Sequence, residues 1–278
     1  MKTLTILLVC FAIAVYGILC TAIYYFQASL IFPSQLSRPV PANWKPALGN
    51  ASEEVLLDGR CGKLHAVIWR NADTKGMLMY FHGNAESIAS VQSLVPALLQ
   101  LGYGVMAWDY PGYGRSLACR FSEDDLLQDA DLAYRWLASR GLQKNMVIFG
   151  SSVGSGLALY VASHHPGHPV LLVAPYDALV NVASDHMPFF IPVRLLMRYP
   201  LRAEQWIGRI DAPVHVIHGL ADTIIPPERA RALLRHAKAN TSVEWVENAG
   251  HNDAILIEKS FRWLAEYRSS NPGSLNNE

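Results

Sequence analysis

Gly150-Ser151-Ser152-Val153-Gly154 fits the pattern G-x-S-x-G and follows an apolar run, Met146 to Phe149, that reads as a buried strand; Leu157 to Ser163 then reads as a helix. A serine at such a strand-to-helix turn sits in strained backbone, and a Cβ two residues before or after it would collide with the neighbouring strand or helix, so both glycines are required. Ser152 is therefore the candidate nucleophile. Neither Ser151 nor Ser155 has glycines two residues away on both sides, and they read as turn and packing residues.

A serine hydroxyl needs a base within hydrogen-bond reach, and that base needs a carboxylate to orient it. Val214 to Ile217 reads as a strand that runs into His218-Gly219, with Asp222 on the loop just beyond; this is the expected acid. Val243 to Val246 reads as the last strand, and His251 lies on the next loop, before a helical run from Ile255 to Tyr267; this is the expected base. The competing acids are Asp211, at the start of a strand, Glu247, beside the histidine loop, and Asp253, which reads as a helix N-cap or first-turn residue. Attack on a carbonyl creates an oxyanion that two backbone N–H groups must meet. Val153, next to the nucleophile, supplies one, and Asn84, on the loop after the strand Met77 to Phe81, is expected to supply the other, with His82 organising that loop. His164, His165 and His168 have no accompanying ligand set and read as a solvated loop, so neither a metal nor an organic cofactor is expected.

Taken together, Tyr80-Phe81-His82-Gly83-Asn84-Ala85, Trp108-Asp109-Tyr110-Pro111-Gly112-Tyr113-Gly114-Arg115-Ser116, the Ser152 turn, His218-Gly219 with Asp222, and Gly250-His251-Asn252-Asp253 resemble the α/β-hydrolase superfamily. The resemblance is to its membrane-anchored, small-lidded members, which include depalmitoylating enzymes and serine-aminopeptidase-like proteins. It implies a mostly parallel central sheet flanked by helices, and a Ser152, His251, Asp222 triad. The activity implied is ester or thioester hydrolysis, with amide hydrolysis by a serine peptidase as the alternative on the same residues. A non-catalytic scaffold on the same fold would require loss of a triad member.

The elements that must position these residues read consistently. Strand-like runs at Leu64 to Ile68, Met77 to Phe81, Val105 to Trp108, Met146 to Phe149, Val170 to Val173, Val214 to Ile217 and Val243 to Val246 alternate with helical patterns, and Glu53 to Leu57 reads as an antiparallel edge. Between Pro175 and Ile210 the alternation stops, which suits a cap insertion over about 176–209. Its strongly apolar stretch Met187 to Met197, rimmed by Arg194 and Arg198, either packs on the sheet or forms a small cap that lines an acyl pocket or touches the bilayer, with Met187, Phe189 and Phe190 as the candidate pocket lining. The organisation expected is an anchor over 1–30, a hydrolase domain over 31–268 and a flexible tail over 269–278.

No charge occurs from Thr3 to Ser37, and Leu4 to Phe26 is long and apolar enough to cross a bilayer, ending in Tyr24, Tyr25 and Phe26 as an interfacial belt. An uncleaved anchor is expected; a cleaved signal peptide, or a lipoprotein cut before Cys20, are the alternatives. Lys2 precedes the span and Arg38 is the first positive side chain after it. The N-terminus is thus expected to be cytoplasmic and the domain extracytoplasmic, periplasmic in a bacterium. Cys61 and Cys119 are the only cysteines outside the span; an oxidising compartment would permit a disulfide without the sequence specifying one. Twenty-three basic against 23 acidic side chains argue against a nucleic-acid partner and leave a small-molecule or acylated substrate.

Overall fold

Along Gly76–Phe81 the side chains alternate between two cores: Met77, Met79 and Phe81 enter one, Leu78 and Tyr80 the other. That is the period-two signature of a strand covered on both faces. The same burial recurs along the other central strands of the computed structural model, which describes residues 2–33, 40 and 43–271. The strands are β1 (Ser52–Asp58), β2 (Lys63–Trp69), β3 (Gly76–Phe81), β4 (Tyr103–Trp108), β5 (Val147–Ser151), β6 (Val170–Val173), β7 (Val214–Gly219) and β8 (Thr241–Val246). They form one eight-stranded sheet in the order β1-β2-β4-β3-β5-β6-β7-β8. β1 pairs antiparallel with β2, and β2 antiparallel with β4; every later pairing is parallel.

The helices are α1 (Lys2–Ile31), α2 (Ile88–Val91), α3 (Val95–Gln100), α4 (Glu123–Ser139), α5 (Gly154–His164), α6 (Leu179–His186), α7 (Val193–Leu196), α8 (Glu204–Ile207), α9 (Pro227–Leu234) and α10 (Ala254–Ser270). α4 and α5 cover one face of the sheet, α3 and α10 the other. α4 starts with a capping box: Ser122 Oγ accepts from the Asp125 N–H while the Asp125 carboxylate accepts from the Ser122 N–H. The histidine loop after α5 is tied back to α4, through His165 with Asp131 at 2.6 Å and Tyr134 with His168 at 2.9 Å. Cys61 and Cys119 are disulfide-bonded with Cα atoms 6.0 Å apart, which joins the β1–β2 hairpin to the loop after Ser116.

α1 is one unbroken 30-residue helix, about 45 Å long, that contains an 18-residue stretch of mean hydropathy 2.7. Its length and composition suit a membrane anchor or a signal sequence. Its C-terminal end is built into the domain formed around the sheet. The buried Gln27 side chain donates to the carbonyls of Tyr24 and Leu196, each at 2.9 Å, and accepts from the Arg198 N–H at 2.6 Å. Phe32 then enters the core against Phe121 and Tyr199. Ser269 and Ser270 continue α10, while residues 272–278 of the expected tail, and Arg38, lie outside the described residues.

Asp129, on α4, is fully enclosed beside the β1–β2 hairpin and accepts one hydrogen bond, from the Arg60 N–H at 2.7 Å. Burial pushes its carboxyl up to about 6, against the opposing pull of that N–H; the unfolded value is about 3.9. The stability contributed by the protonated form is therefore complete below about pH 4 and lost as pH rises through about 6. Asp129→Asn should melt a few degrees above the parent at pH 8, with the gap closing toward pH 4. Thermal melts at the two pH values check this, and a gap independent of pH would exclude the carboxyl as its cause.

Candidate active site

β5 ends at Ser151 and α5 begins at Gly154, so Ser152 sits at the turn with φ of 52°. A non-glycine residue in that region costs about 1–3 kcal/mol and persists only where its surroundings enforce it. The enforcement is visible at both glycines. A Cβ on Gly150 would come within 2.6 Å of Ser155 Cα, and one on Gly154 within 2.2 Å of the Phe81 carbonyl oxygen. Ser155 Oγ donates to the Ser152 carbonyl at 2.6 Å and closes the turn, the packing place expected for it.

Gly219 has the same function on the acid side: a Cβ there would lie 2.2 Å from the Ala249 carbonyl oxygen. The loop after β7 thus lies against the loop after β8, joined by Ala221 N–H to Ala249 O at 3.0 Å. This contact brings Asp222 Oδ2 to 2.6 Å from His251 Nδ1, while His251 Nε2 lies 2.9 Å from Ser152 Oγ. Burial pushes the Asp222 carboxyl up, but the His251 bond and charge together with the N–H groups of Ile225 and Ile224 outweigh it, leaving it below its ordinary value. An ionised carboxylate only accepts, so Nδ1 carries the proton and Nε2 is free to accept from Ser152. Asp253 stands at the N-cap of α10, yet its carboxylate accepts from the Gly250 N–H at 2.6 Å and holds the His251 loop instead. Glu247 is exposed, and Asp211 pairs with Lys238.

Val153 is the N-cap of α5, so its N–H lies at the positive end of the helix dipole. Asn84 lies across the pocket on the loop after β3. Its side chain is engaged on both sides, donating to the Ile31 carbonyl at 2.6 Å and accepting from Tyr113 Oη at 2.5 Å, so it fixes the backbone that bears its N–H. His82 is buried, stacks on Tyr110 with ring centroids 4.0 Å apart, and donates through Nδ1 to the Gly83 carbonyl at 2.8 Å, so it holds its own loop.

The pocket above Ser152 has a volume of about 610 Å³. Three groups around it were not anticipated. Glu86 lines it and accepts from the Gly83 N–H at 2.7 Å, so that N–H is engaged within the loop. His218, buried and held below its ordinary pKa by burial, donates to the Ile225 carbonyl at 2.9 Å and supports the segment that binds Asp222. Leu30 and Ile31, from the end of α1, form part of the wall. The segment at the Glu86 position could have been flagged as a carboxylate three residues from a loop glycine; the α1 contribution had no sequence signal.

The cap requires a correction. Phe189 and Phe190 line no part of this pocket: Phe189 is 100% exposed and Phe190 is 52% exposed. They sit at a tip between Pro188 and Pro192, where the chain turns outward. The cap's contribution to the wall comes from α6, through Leu179, Val182, Ala183 and His186. Met187 instead faces a separate apolar cavity beside α1.

The serine aminopeptidase (S33) family model matches residues 72–191. An uncharacterised protein of Mycobacterium tuberculosis is 30% identical over 245 residues, covering 86% of this chain and 85% of that protein. Human alpha/beta hydrolase domain-containing protein 17B is 29% identical over 202 residues, 71% of this chain and 67% of its own length. Among solved structures, an esterase of Pyrococcus furiosus superposes over 84% of this chain and 96% of its own with a TM-score of 0.67 at 17% identity. At that identity the likeness speaks for the fold.

Because Asp222 is the only acid bonded to His251 among the described residues, Asp222→Asn should lower kcat by about 10⁴-fold. Glu247→Gln and Asp211→Asn should stay within about twofold of the parent. Steady-state kinetics on an activated ester check this, and near-normal turnover in Asp222→Asn would remove it from the relay.

Proposed function

The chain belongs to the α/β-hydrolase superfamily, and from that premise we propose a membrane-anchored serine hydrolase that cleaves carboxylic esters or thioesters through an acyl-enzyme. The observation that carries the reading is the continuous relay from Ser152 Oγ to His251 at 2.9 Å and from His251 to Asp222 at 2.6 Å, at a serine held at positive φ. Ser152 Oγ attacks the acyl carbonyl as its proton passes to His251 Nε2. Asp222 holds the imidazole tautomer and stabilises the imidazolium. The oxyanion is met by the N–H groups of Val153 and Asn84. As the tetrahedral adduct collapses, the bond to the alcohol or thiol breaks and His251 returns the proton to the leaving group. Water, deprotonated by the same histidine, then attacks the acyl-enzyme and releases the acid and Ser152.

An amide-cleaving peptidase would use the same three residues, and Glu86 gives that reading one specific support, as a carboxylate in the pocket wall that could face a substrate ammonium. The acyl reading is favoured by the apolar remainder of that wall, which includes Leu30, Ile31, Leu179, Val182 and Ile225. The anchor reading draws support from Gln27 and Phe32, which tie α1 to the domain where a discarded signal peptide would need no such fit. The Cys61–Cys119 disulfide and the Lys2 charge both favour an extracytoplasmic domain.

Full-length chain in detergent should be labelled by a fluorophosphonate at Ser152, with labelling abolished in Ser152→Ala; labelling retained in that variant would refute the nucleophile. Intact mass of the membrane-extracted chain should retain Lys2, whereas a mature N-terminus at Cys20 or Thr21 would refute the anchor.

A further inference from the structure

A second cavity, about 190 Å³, lies between α1 and the cap. Its walls are Ile23, Leu30 and Ile31 from α1, and Met187, Val193, Leu196 and others from the cap, almost wholly apolar apart from Gln27 and His186. Both polar side chains are already satisfied. Gln27 is bonded to Leu196 and Arg198, and His186 Nε2 lies 2.8 Å from the Ile224 carbonyl. This cavity and the pocket above Ser152 share four residues: Leu30, Ile31, Ala183 and His186. They are two chambers separated by the last turn of α1 and the last turn of α6.

The position of the cap along α1 shows what surrounds the outer chamber. Tyr24 and Tyr25 lie near Arg198 and Arg120, with guanidinium carbons 5.5 and 6.0 Å from the ring centroids, an aromatic and cationic belt of the kind found at a membrane surface. Tyr16, about 12 Å further along the helix toward its N-terminus, donates to the Phe190 carbonyl at 2.6 Å. The cap tip therefore reaches past the belt alongside the apolar helix. It does so with Phe189 100% and Leu195 85% exposed, side chains that water would not favour and hydrocarbon would.

We propose that the outer chamber is an acyl-chain site opening into the bilayer leaflet beside α1, through which the long acyl chain of a membrane-resident ester or thioester reaches Ser152. The anchor helix is then one wall of the substrate site. This rests on the hydrolase reading above, and adds where the acyl chain lies and from which medium it enters. Leu30 and Ile31 carry the chain across the boundary between chambers; Val193 and Leu196, which border only the outer one, hold its distal carbons.

The test uses the full chain in nanodiscs and a hexadecyl fluorophosphonate with a diazirine at mid-chain. Ser152 Oγ displaces fluoride from phosphorus and its proton leaves through His251, fixing the head of the probe; illumination then crosslinks the tail. Crosslinks to peptides containing Ile23, Met187, Val193, Leu196 or Met197 are expected. Crosslinks confined to the loops bearing Thr223 and Asn252, or to lipid alone, would overturn the acyl route. Absence of labelling by both this probe and a short methyl fluorophosphonate would overturn the hydrolase reading and the route with it. Labelling by the short probe alone would overturn only the route. In parallel, Val193→Trp should lower the ratio of sixteen-carbon to four-carbon specificity constants at least tenfold, measured on p-nitrophenyl esters and on acyl thioesters. A drop in either series supports the route, and an unchanged ratio in both overturns it.

Discussion

The approach of the α5 N-terminus to the end of β3 is the constraint from which the rest of the site follows. Gly154 lies so close to the Phe81 and His82 carbonyls that a single methyl group would sit inside their van der Waals radii. The parallel register that sets Phe81 beside Gly150 brings the two strand ends level. The turn that carries Ser152 and the loop that carries Asn84 are consequently one packed unit. Ser152 and the Asn84 loop could separate only if the sheet did, so the positive φ at Ser152 is maintained by sheet geometry and not by the turn alone.

Electrostatic support for that unit comes from a buried carboxylate remote from the relay. Asp109, fully enclosed after β4, accepts from the Ile88 N–H at 2.8 Å and the Arg115 N–H at 3.3 Å, and lies 3.3 Å from His65 Nδ1. It thereby joins the start of α2, just beyond the Asn84 loop, to the turn at Gly114, whose φ of 49° and contact with the carboxylate exclude a side chain. The segment Trp108 to Ser116 is a clamp for the loop after β3. The burial of Asp109 is tolerated because several donors converge on it.

Much of this was legible in the sequence, for reasons that are local. Ser152, Asp222 and His251 each follow a strand visible as a short, largely apolar run, and the loops of Ser152 and Asp222 carry glycines that tertiary contact makes indispensable. The central strands were legible because both faces of the sheet are covered there and their side chains are almost wholly apolar, whereas β1 and β8 at the edges carry polar and exposed residues. What escaped depends on contacts between distant segments. Nothing near Leu30 or Ile31 signals that they meet residues at positions 183 and 186, and hydropathy marks them simply as the end of an apolar helix. Phe189 and Phe190 misled in the opposite sense: apolar residues in a cap suggest a pocket lining, but prolines on either side turn them outward, and only the path of the backbone reveals it.

Gln27 has a consequence for how the molecule meets its surroundings. With both ends of its amide bonded to the backbone around Leu196 and Arg198, α1 can neither rotate about its axis nor swing away without stranding two buried polar groups. A helix gripped in this way is a fixed strut and not a leash. In a bilayer it would hold Ser152 at one set height above the hydrocarbon, as a ruler does.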